Sequence, residues 1–243
     1  MAGMSAERLE AVKVVLEGPV ASFRYPHFLI GRQPTYPMPP PSTIYGLISA
    51  ALGHFPDPQA LRFAYRFECA RQRVDDVETI WFVQPNTATR GEAAKKNLEA
   101  QSNILPREWL VHPRLTLYVT SDELEALYQA FRSPSYTLTL GRSQELVSVR
   151  RVERVVLHPV RKGWLEPGLF PVSFRAWAPR APAIFMPRFI VPRSRHHVDW
   201  DWFLALDAPV YLTGEAPEPC WAESPEVADP HLLYLHFFQR QEE

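Results

Sequence analysis

The order of its strand and helix patterns restricts the fold of this chain more than any other feature. Alternating, β-branched runs and two amphipathic helical stretches follow one another as strand, helix, strand, strand, helix, strand once a long hairpin is set aside. These elements span residues 9–17, 43–52, 61–71, 113–120, 121–131 and 146–158. A βαββαβ order is typical of the ferredoxin-like split fold, so we predict an α+β chain with that core.

Two segments lie outside this core. Residues 77–84 and 104–111 are extended runs on either side of a polar stretch, and they predict a protruding β-hairpin inserted at about residues 77–111. Residues 159–243 are rich in proline, with short strands expected at 170–176, 184–191 and 231–238. We therefore divide the chain into a domain of residues 1–158 and an irregular, mainly β C-terminal subdomain, 159–243, packed on it.

Length and composition limit the class of protein. The chain has 243 residues, of which 46% are hydrophobic and 22% charged, as in an ordinary globular protein. Its two cysteines, Cys69 and Cys220, predict neither a disulfide framework nor a zinc site built on CxxC pairs. No apolar run reaches the roughly 18 residues of a membrane helix, and residues 1–7 do not resemble a secretion signal. We expect a cytoplasmic protein with no membrane partner.

The basic charge is unevenly placed along the chain. Only four of the 26 basic side chains are lysine, and arginine is the residue that binds phosphates bidentately and stacks on bases. Residues 140–195 carry a net charge of +8 and residues 196–243 carry −9. The basic block can neutralise a phosphate backbone, or it can pair with the acidic segment in a protein-interaction module. The sequence leaves both interpretations open.

Two loops concentrate groups that bind anions. The first, residues 18–41, carries Arg24 and Arg32 and ends in three prolines before Ser42, a predicted N-cap, and free amides at a helix N-terminus accept anions. The second ends in Gly141-Arg142, where glycine would let the backbone approach a ligand and arginine could hold a phosphate. A rigid loop followed by an ordinary capped helix is the structural alternative.

Taken together, these segments resemble the fifth family of CRISPR-associated proteins, the RAMP-type subunit of type I Cascade complexes. The similar stretches occur in the family's order over roughly residues 9–158. They are Gly18-Pro19, Ala21-Ser22-Phe23-Arg24, Gln33-Pro34-Thr35-Tyr36, Pro39-Pro40-Pro41-Ser42-Thr43, Tyr45-Gly46-Leu47-Ile48, Ala51-Leu52-Gly53 and Leu140-Gly141-Arg142-Ser143. Residues 159–243 resemble the family only loosely.

The resemblance implies a fold like that of the RNA-recognition module and a non-catalytic subunit that binds the 5′ handle of a CRISPR RNA. It also implies docking to a Cascade backbone subunit and to the large subunit, and through them an indirect role on double-stranded target DNA. The inserted hairpin would act as a thumb over the handle. The candidate RNA-binding residues are Ser22, Arg24, Arg32, Gln33, Thr35, Tyr36, Ser42, Thr43, Tyr45, Arg90, Lys95, Lys96, Asn103, Arg107, Gly141, Arg142, Ser143 and Gln144.

Some relatives cleave repeat RNA with a metal-independent arrangement of tyrosine, lysine and histidine, so an endoribonuclease is the alternative function. Tyr45 is a weak candidate for such a site, with Lys95, Lys96 and His112 near the hairpin. The chain has no adjacent Lys-His pair, and a tyrosine on an apolar helix is more often a core residue. This incomplete arrangement favours binding over catalysis.

The sequence predicts neither a metal nor a cofactor. His196, His197, Asp199 and Asp201 come nearest to a metal-binding set, but no further histidine lies at a spacing that completes a site. Neither a GxxxxGK[ST] nor a GxGxxG phosphate-binding loop is present. We expect the four residues to form a solvated turn.

Overall fold

A computed structural model describes residues 8–28, 31–85, 98–194 and 196–238. Within these ranges the chain contains fifteen strands, β1–β15, two α-helices, α1 and α2, and a short 3-10 helix. The predicted α+β class is therefore confirmed. None of the helices in these ranges combines the length and the apolar character needed to cross a membrane.

Six strands form the main sheet, in the order β13-β7-β1-β6-β3-β15. They are β1 (Leu9–Glu17), β3 (Arg62–Glu68), β6 (Arg114–Thr120), β7 (Ser148–Val160), β13 (Cys220–Ala222) and β15 (His236–Phe237). Every neighbouring pair in this sheet is antiparallel. Because β13 and β15 form its two edges, residues 159–243 share a sheet with the N-terminal part, and the domain boundary at residue 158 stays a prediction.

Both faces of the main sheet are covered. Successive residues of a strand point to opposite faces, so Val12 and Val14 of β1 pack in the cluster that holds the helices, while Ala11 points the other way. On that second face Ala11 meets Leu233 and Leu235 from the C-terminal segment. The C-terminal segment is therefore part of the core, and its leucines keep the second face of the sheet from water.

The two helices lie on the first face. Helix α1 (Pro41–Leu52) buries a stripe that includes Ile44, Leu47 and Ile48, and α2 (Leu124–Arg132) buries Leu127 and Phe131. The predicted side-chain cap at Ser42 is wrong. Pro40 is the N-cap of α1 and Glu123 that of α2, neither with a side-chain capping bond. Helix α1 begins at Pro41 because proline has a helical φ and lacks the amide that a first turn leaves unbonded.

The predicted hairpin is present and longer than expected. It consists of β4 (Arg71–Pro85) and β5 (Leu98–Val111), so Asn103 lies in a strand rather than in the tip. Large apolar side chains are mostly exposed along it, namely Val77, Trp81, Phe82, Val83 and Ile104. The base is held by β2 (Val20–Ala21), which pairs with β5. The outer part therefore extends from the body of the protein without a packed face of its own.

The C-terminal segment also forms two small sheets. One has the order β10-β11-β9, and the other β12-β8-β14. Their strands are β8 (Gly163–Leu165), β9 (Gly168–Pro171), β10 (Ala183–Ile190), β11 (Val198–Leu206), β12 (Val210–Leu212) and β14 (His231–Leu232). The strand predicted at 170–176 is wrong beyond Pro171, because Val172–Ala176 is a 3-10 helix. Strand β11 begins where a solvated turn was expected.

Candidate nucleic-acid interface

The two loops singled out in the sequence meet at one cleft of about 230 Å³. Its near wall comes from the first loop, the start of α1 and the second loop, and its far wall from the ends of β10 and β11. The lining residues are Ser22, Phe23, Arg24, Pro26, Pro40, Ser42, Thr43, Gly141, Arg142, Pro187, Ile190, Val198 and Trp200. Six of the predicted RNA-binding residues are among them.

A buried carboxylate joins the two loops behind this cleft. Glu145 has no exposed surface, and its Oε2 accepts hydrogen bonds from the amides of Ser22 at 2.7 Å and Arg142 at 2.9 Å. Its Oε1 accepts a third bond from the Ser22 hydroxyl at 2.6 Å. A buried charge is stable only when its lone pairs are satisfied. Glu145 therefore fixes the position of the second loop against the first.

Gly141 serves this junction rather than approach to a ligand. Its φ is +113°, which side-chain-bearing residues rarely adopt. A Cβ at this position would run into the carbonyl oxygen of Ser22 and Oε2 of Glu145. The predicted reason for this glycine, close approach of RNA, is thus replaced by a different one. The glycine lets the two loops pack together.

Arg142 is paired within the protein. Its guanidinium donates to Oε1 of Glu78 on the hairpin at 2.6 Å and lies 5.7 Å from the ring centre of Trp109. Arg107 donates to the other oxygen of Glu78 at 2.9 Å. Burial opposes the ionisation of Glu78, but the bonds and charges of the two arginines outweigh it and lower the pKa of this carboxyl. Two positive charges on one carboxylate leave a net charge of +1.

Arg32 also has acidic partners. It donates to Asp75 at 2.8 Å and to the buried carboxylate of Glu108 at 2.8 Å. The second oxygen of Glu108 accepts from the amide of Thr35 at 3.0 Å. This network connects the first loop to the base of the hairpin.

Several residues predicted to contact RNA lie inside the protein. Ser22, Gln33, Thr35, Tyr36 and Arg107 are all buried. Thr35 Oγ1 accepts from the Phe23 amide at 2.7 Å, and the Tyr36 hydroxyl donates to a backbone carbonyl of β10 at 3.1 Å. Side chains with so little exposed surface offer an RNA strand almost no contact area in this conformation, although Ser22 lies at the wall of the cleft. For these residues we replace the prediction of direct contact with one of positioning.

Tyr45 is likewise a core residue. Its ring packs edge-on against Phe189 and Phe238, and its hydroxyl donates to the carbonyl of Pro56 at 2.8 Å. Burial is the main cause that raises the pKa of Tyr45 above its ordinary value. A phenol that is buried, hydrogen-bonded and harder to ionise suits neither a general base nor a ligand contact. The weak candidacy of Tyr45 for either role is withdrawn.

The remaining predicted residues are accessible or fall outside the described ranges. Arg24 is exposed and lines the cleft, and no described carboxylate forms an ion pair with it. Ser42 and Thr43 are half-buried in the first turn of α1. Asn103, Ser143 and Gln144 are exposed. Arg90, Lys95 and Lys96 lie outside the described residues. Arg24 is thus the best-placed cation for a phosphate in the cleft.

The far wall of the cleft was missed in the sequence. Trp200 lies on β11, where Asp199 and Asp201 alternate with two tryptophans and made the stretch look like a polar turn. Both aspartates instead bind Arg188 of β10, with Asp199 at 2.5 Å and Asp201 at 3.4 Å. Alternation of Val198, Trp200 and Trp202 with polar residues is the period-2 signal that could have revealed this strand.

The aspartates do not form a metal site with the neighbouring histidines. His197 shares a hydrogen bond with Ser194 at 2.9 Å, and Asp199 and Asp201 are held by Arg188. Nowhere in the described ranges do three or more His, Cys, Asp or Glu side chains come together in a way that could hold a metal ion.

Comparisons with known proteins identify the family. No curated protein sequence matches this chain. A solved chain of a "CRISPR RNA-guided surveillance complex" is 21% identical, with a TM-score of 0.51, over 84% of this chain and 92% of that one. A "CRISPR protein from Archaeoglobus fulgidus" is 10% identical, with a TM-score of 0.44, over 95% of this chain and all of that one. The family model described as "CRISPR-associated protein (Cas_Cas5)" matches residues 11–179, which is more than half of the sequence. The chain therefore belongs to the Cas5 family of CRISPR-associated proteins.

Proposed function

We propose that this protein is a non-catalytic subunit of a CRISPR effector complex of the Cascade type, and that it binds the 5′ handle of the CRISPR RNA. The observation that carries the proposal is the cleft itself. In a chain of this family, two separate loops with anion-binding groups converge on one cleft with an exposed arginine and the first turn of a helix. Such a combination suits a phosphate backbone.

The proposed scaffold is a ferredoxin-like core. Strands β7, β1, β6 and β3 are neighbours in that order, and all of them are antiparallel. Along the chain, α1 follows β1 and α2 follows β6. This agrees with a split βαβ arrangement of the βαββαβ type. In it the first loop and α1 leave the end of β1, which brings the cleft to one end of the sheet.

The hairpin supports the proposed role as a thumb. The ion pairs of Arg32 and Arg142 tie its base to both loops of the cleft, through Asp75 and Glu78. Its exposed apolar side chains, such as Trp81 and Phe82, suit contacts to the bases of RNA or to a neighbouring subunit. Within this proposal a backbone subunit and the large subunit are the protein partners, and target DNA is reached only through them.

Binding to a handle RNA tests this proposal directly. The purified chain would be mixed with a labelled RNA that carries the repeat-derived 5′ handle, and with an RNA of equal length in which the handle sequence is shuffled. We expect tighter binding to the first, because unstacked bases are read in single strands. Equal affinity for the two RNAs would contradict the handle assignment.

A second incubation distinguishes binding from cleavage. Labelled repeat RNA would be incubated with the chain in EDTA, in which only a metal-independent nuclease can act. We expect intact RNA, because Tyr45 is engaged in the core. A discrete product from the wild-type chain would establish the alternative endoribonuclease function and would overturn the non-catalytic proposal.

A further inference from the structure

Three aromatic rings form a row on the β10–β11 hairpin, outside the core. Phe185 of β10 lies between Trp200 and Trp202 of β11, because it pairs with Trp202 and is diagonal to Trp200. The ring centres of Phe185 and Trp200 are 5.4 Å apart with 17° between their planes, and those of Phe185 and Trp202 are 5.2 Å apart at 41°. We call Phe185, Trp200 and Trp202 the aromatic row.

Two of the three members of the aromatic row are exposed although they are strongly apolar, and Trp200 is half-buried. Phe185 is 43% exposed and Trp202 is 52% exposed. Next to Trp202 along the strand, Phe203 points the other way into the main core. The row therefore occupies the face of the hairpin that the core leaves uncovered, and exposed aromatic patches of this kind mark binding surfaces.

The hairpin holds the row rigidly. Arg188 joins the aspartates that alternate with the two tryptophans, at 2.5 Å from Asp199. The buried Tyr36 hydroxyl donates to the carbonyl of Phe185 at 3.1 Å, which fixes β10 against the first loop. A platform that is ordered before binding loses little side-chain entropy when a ligand stacks on it.

The position of the row indicates its ligand. Trp200, at one end, is also a wall of the cleft that Arg24 and Arg142 line. The turn from β10 to β11, residues 191–197, contains no acidic residue and presents Arg193, His196 and His197 to solvent. At the other end Trp202 lies beside Glu218 and beside Asp201, whose carboxylate is paired with Arg188 of the same cavity. Arg24 and Arg193, which form no ion pair with a described residue, thus lie towards the Trp200 end, and Glu218, which has no arginine partner among the described residues, lies at the Trp202 end.

We propose that the aromatic row stacks the bases of the RNA strand as it leaves the cleft, beginning at Trp200. Single strands are held in general by cationic grooves combined with aromatic side chains on which successive bases stack. The charge distribution sets the direction, because phosphates are favoured near the cleft and disfavoured near Glu218. The inference rests on the proposed RNA binding at the cleft and adds the C-terminal hairpin to it.

An RNA without bases provides the test. The probe is a single-stranded RNA of about eight nucleotides with the handle sequence, compared with an abasic strand of the same length. For the wild-type chain we expect the strand with bases to bind more tightly and to quench tryptophan fluorescence. Trp200→Ala should weaken binding of that strand about five- to one-hundred-fold, and binding of the abasic strand hardly at all.

Matched variants complete the design. Trp200→Phe should keep most of the affinity, and Trp202→Ala should give a smaller loss than Trp200→Ala. Trp164→Ala removes an exposed tryptophan from β8, whose ring contacts Tyr211, and should leave binding unchanged. Trp202→Ala removes a ring that is half exposed, so it provides a folded variant if Trp200→Ala proves unstable.

The outcomes separate this inference from the proposed function. If no RNA binds to the wild-type chain, the proposed function fails, and the inference fails with it. If RNA binds but the abasic strand binds equally well, or both tryptophan variants bind as the wild type does, only the inference is overturned. Loss of assembly with other subunits at unchanged RNA affinity would assign the row to a protein partner, and would also overturn it.

Discussion

Glu145 offers the sharpest test of how the cleft is built. The substitution Glu145→Ala removes the acceptor of three hydrogen bonds, from the Ser22 amide, the Ser22 hydroxyl and the Arg142 amide. The two donors of Ser22 then lie in a buried region without a partner, and the Arg142 amide lies in a half-buried one. The loss should therefore be large for a single residue in a loop.

Its magnitude follows from the cost of unsatisfied groups. A buried donor without a partner costs about 1–3 kcal/mol. Part of this loss is offset, because the variant no longer buries a carboxylate that is costly to remove from water. We expect a net loss of about 3 kcal/mol, which in a chain of this size lowers Tm by about 6–12 °C. Glu145→Gln keeps one acceptor oxygen of the same shape and should cost about 1 kcal/mol.

Urea and thermal unfolding of the wild type, Glu145→Ala and Glu145→Gln measure these differences in the free energy of unfolding. Glu226→Ala removes an exposed glutamate with no ion-pair partner among the described residues and should stay within about 0.5 kcal/mol of the wild type. A stability of Glu145→Ala that is also within about 0.5 kcal/mol of the wild type would refute the reasoning. It would mean that the two loops are joined by other contacts.

Three further predictions concern single residues. Gly141→Ala should lower the free energy of unfolding by about 1–3 kcal/mol, because its φ is +113° and a Cβ would run into the Ser22 carbonyl. Gly46→Ala lies in a helix with free space around it and should raise the free energy of unfolding by about 0.5–1 kcal/mol in the same melts. Burial lowers the pKa of His236 from 6.5 to about 4. The unfolded chain therefore binds the proton first, and the free energy of unfolding should fall by about 3 kcal/mol as the pH drops from about 6.5 to about 4. An equal dependence of stability on pH in His236→Asn would contradict this. Arg142→Ala should raise the pKa of Glu78 towards its ordinary value, as followed by NMR titration, and an unchanged pKa would show that Arg107 alone lowers it.

The core elements could be predicted because their signals are local. Alternating apolar residues in β1 and β6 and the apolar stripe of α1 depend only on the sequence within each element. Errors occurred where two local signals compete. At the start of α1, Ser42 suggested a cap, but the two prolines before it determine the first turn.

The failures at the site have a different cause, which is distance along the chain. Arg142 is paired with Glu78 and Arg32 with Glu108, and each acid is more than 60 residues away in sequence. Charge composition cannot reveal such pairs, so arginines that looked available for phosphate proved to be bound. The hidden strand β11 was missed for a local reason, because its aspartates, which Arg188 of the neighbouring strand neutralises, made an alternating stretch look like a polar turn.

The acidic C-terminal segment was expected either to pair with the basic block or to leave it free. Among the described residues only Arg161 and Arg188 of that block form ion pairs with aspartates or glutamates of residues 196–243. Others, such as Arg150 and Arg154, pair with Glu17 and Glu125 of the N-terminal part. Three arginines of the block thus pair with the N-terminal part and two with the acidic segment, which argues against a module held together by its two charged halves.

The salt dependence of handle binding tests the central claim, that the cleft holds an RNA backbone through Arg24. Affinity for handle RNA would be measured at several salt concentrations for the wild type, for Arg24→Ala and for Arg180→Ala. Arg180 is an exposed arginine of the same basic block with no ion pair to a described residue. Loss of one phosphate contact should lower the slope of log affinity against log salt by about 0.7 in Arg24→Ala, with about ten-fold weaker binding and no change in Arg180→Ala. Equal slopes for Arg24→Ala and the wild type, or an equal effect of Arg180→Ala, would contradict the account.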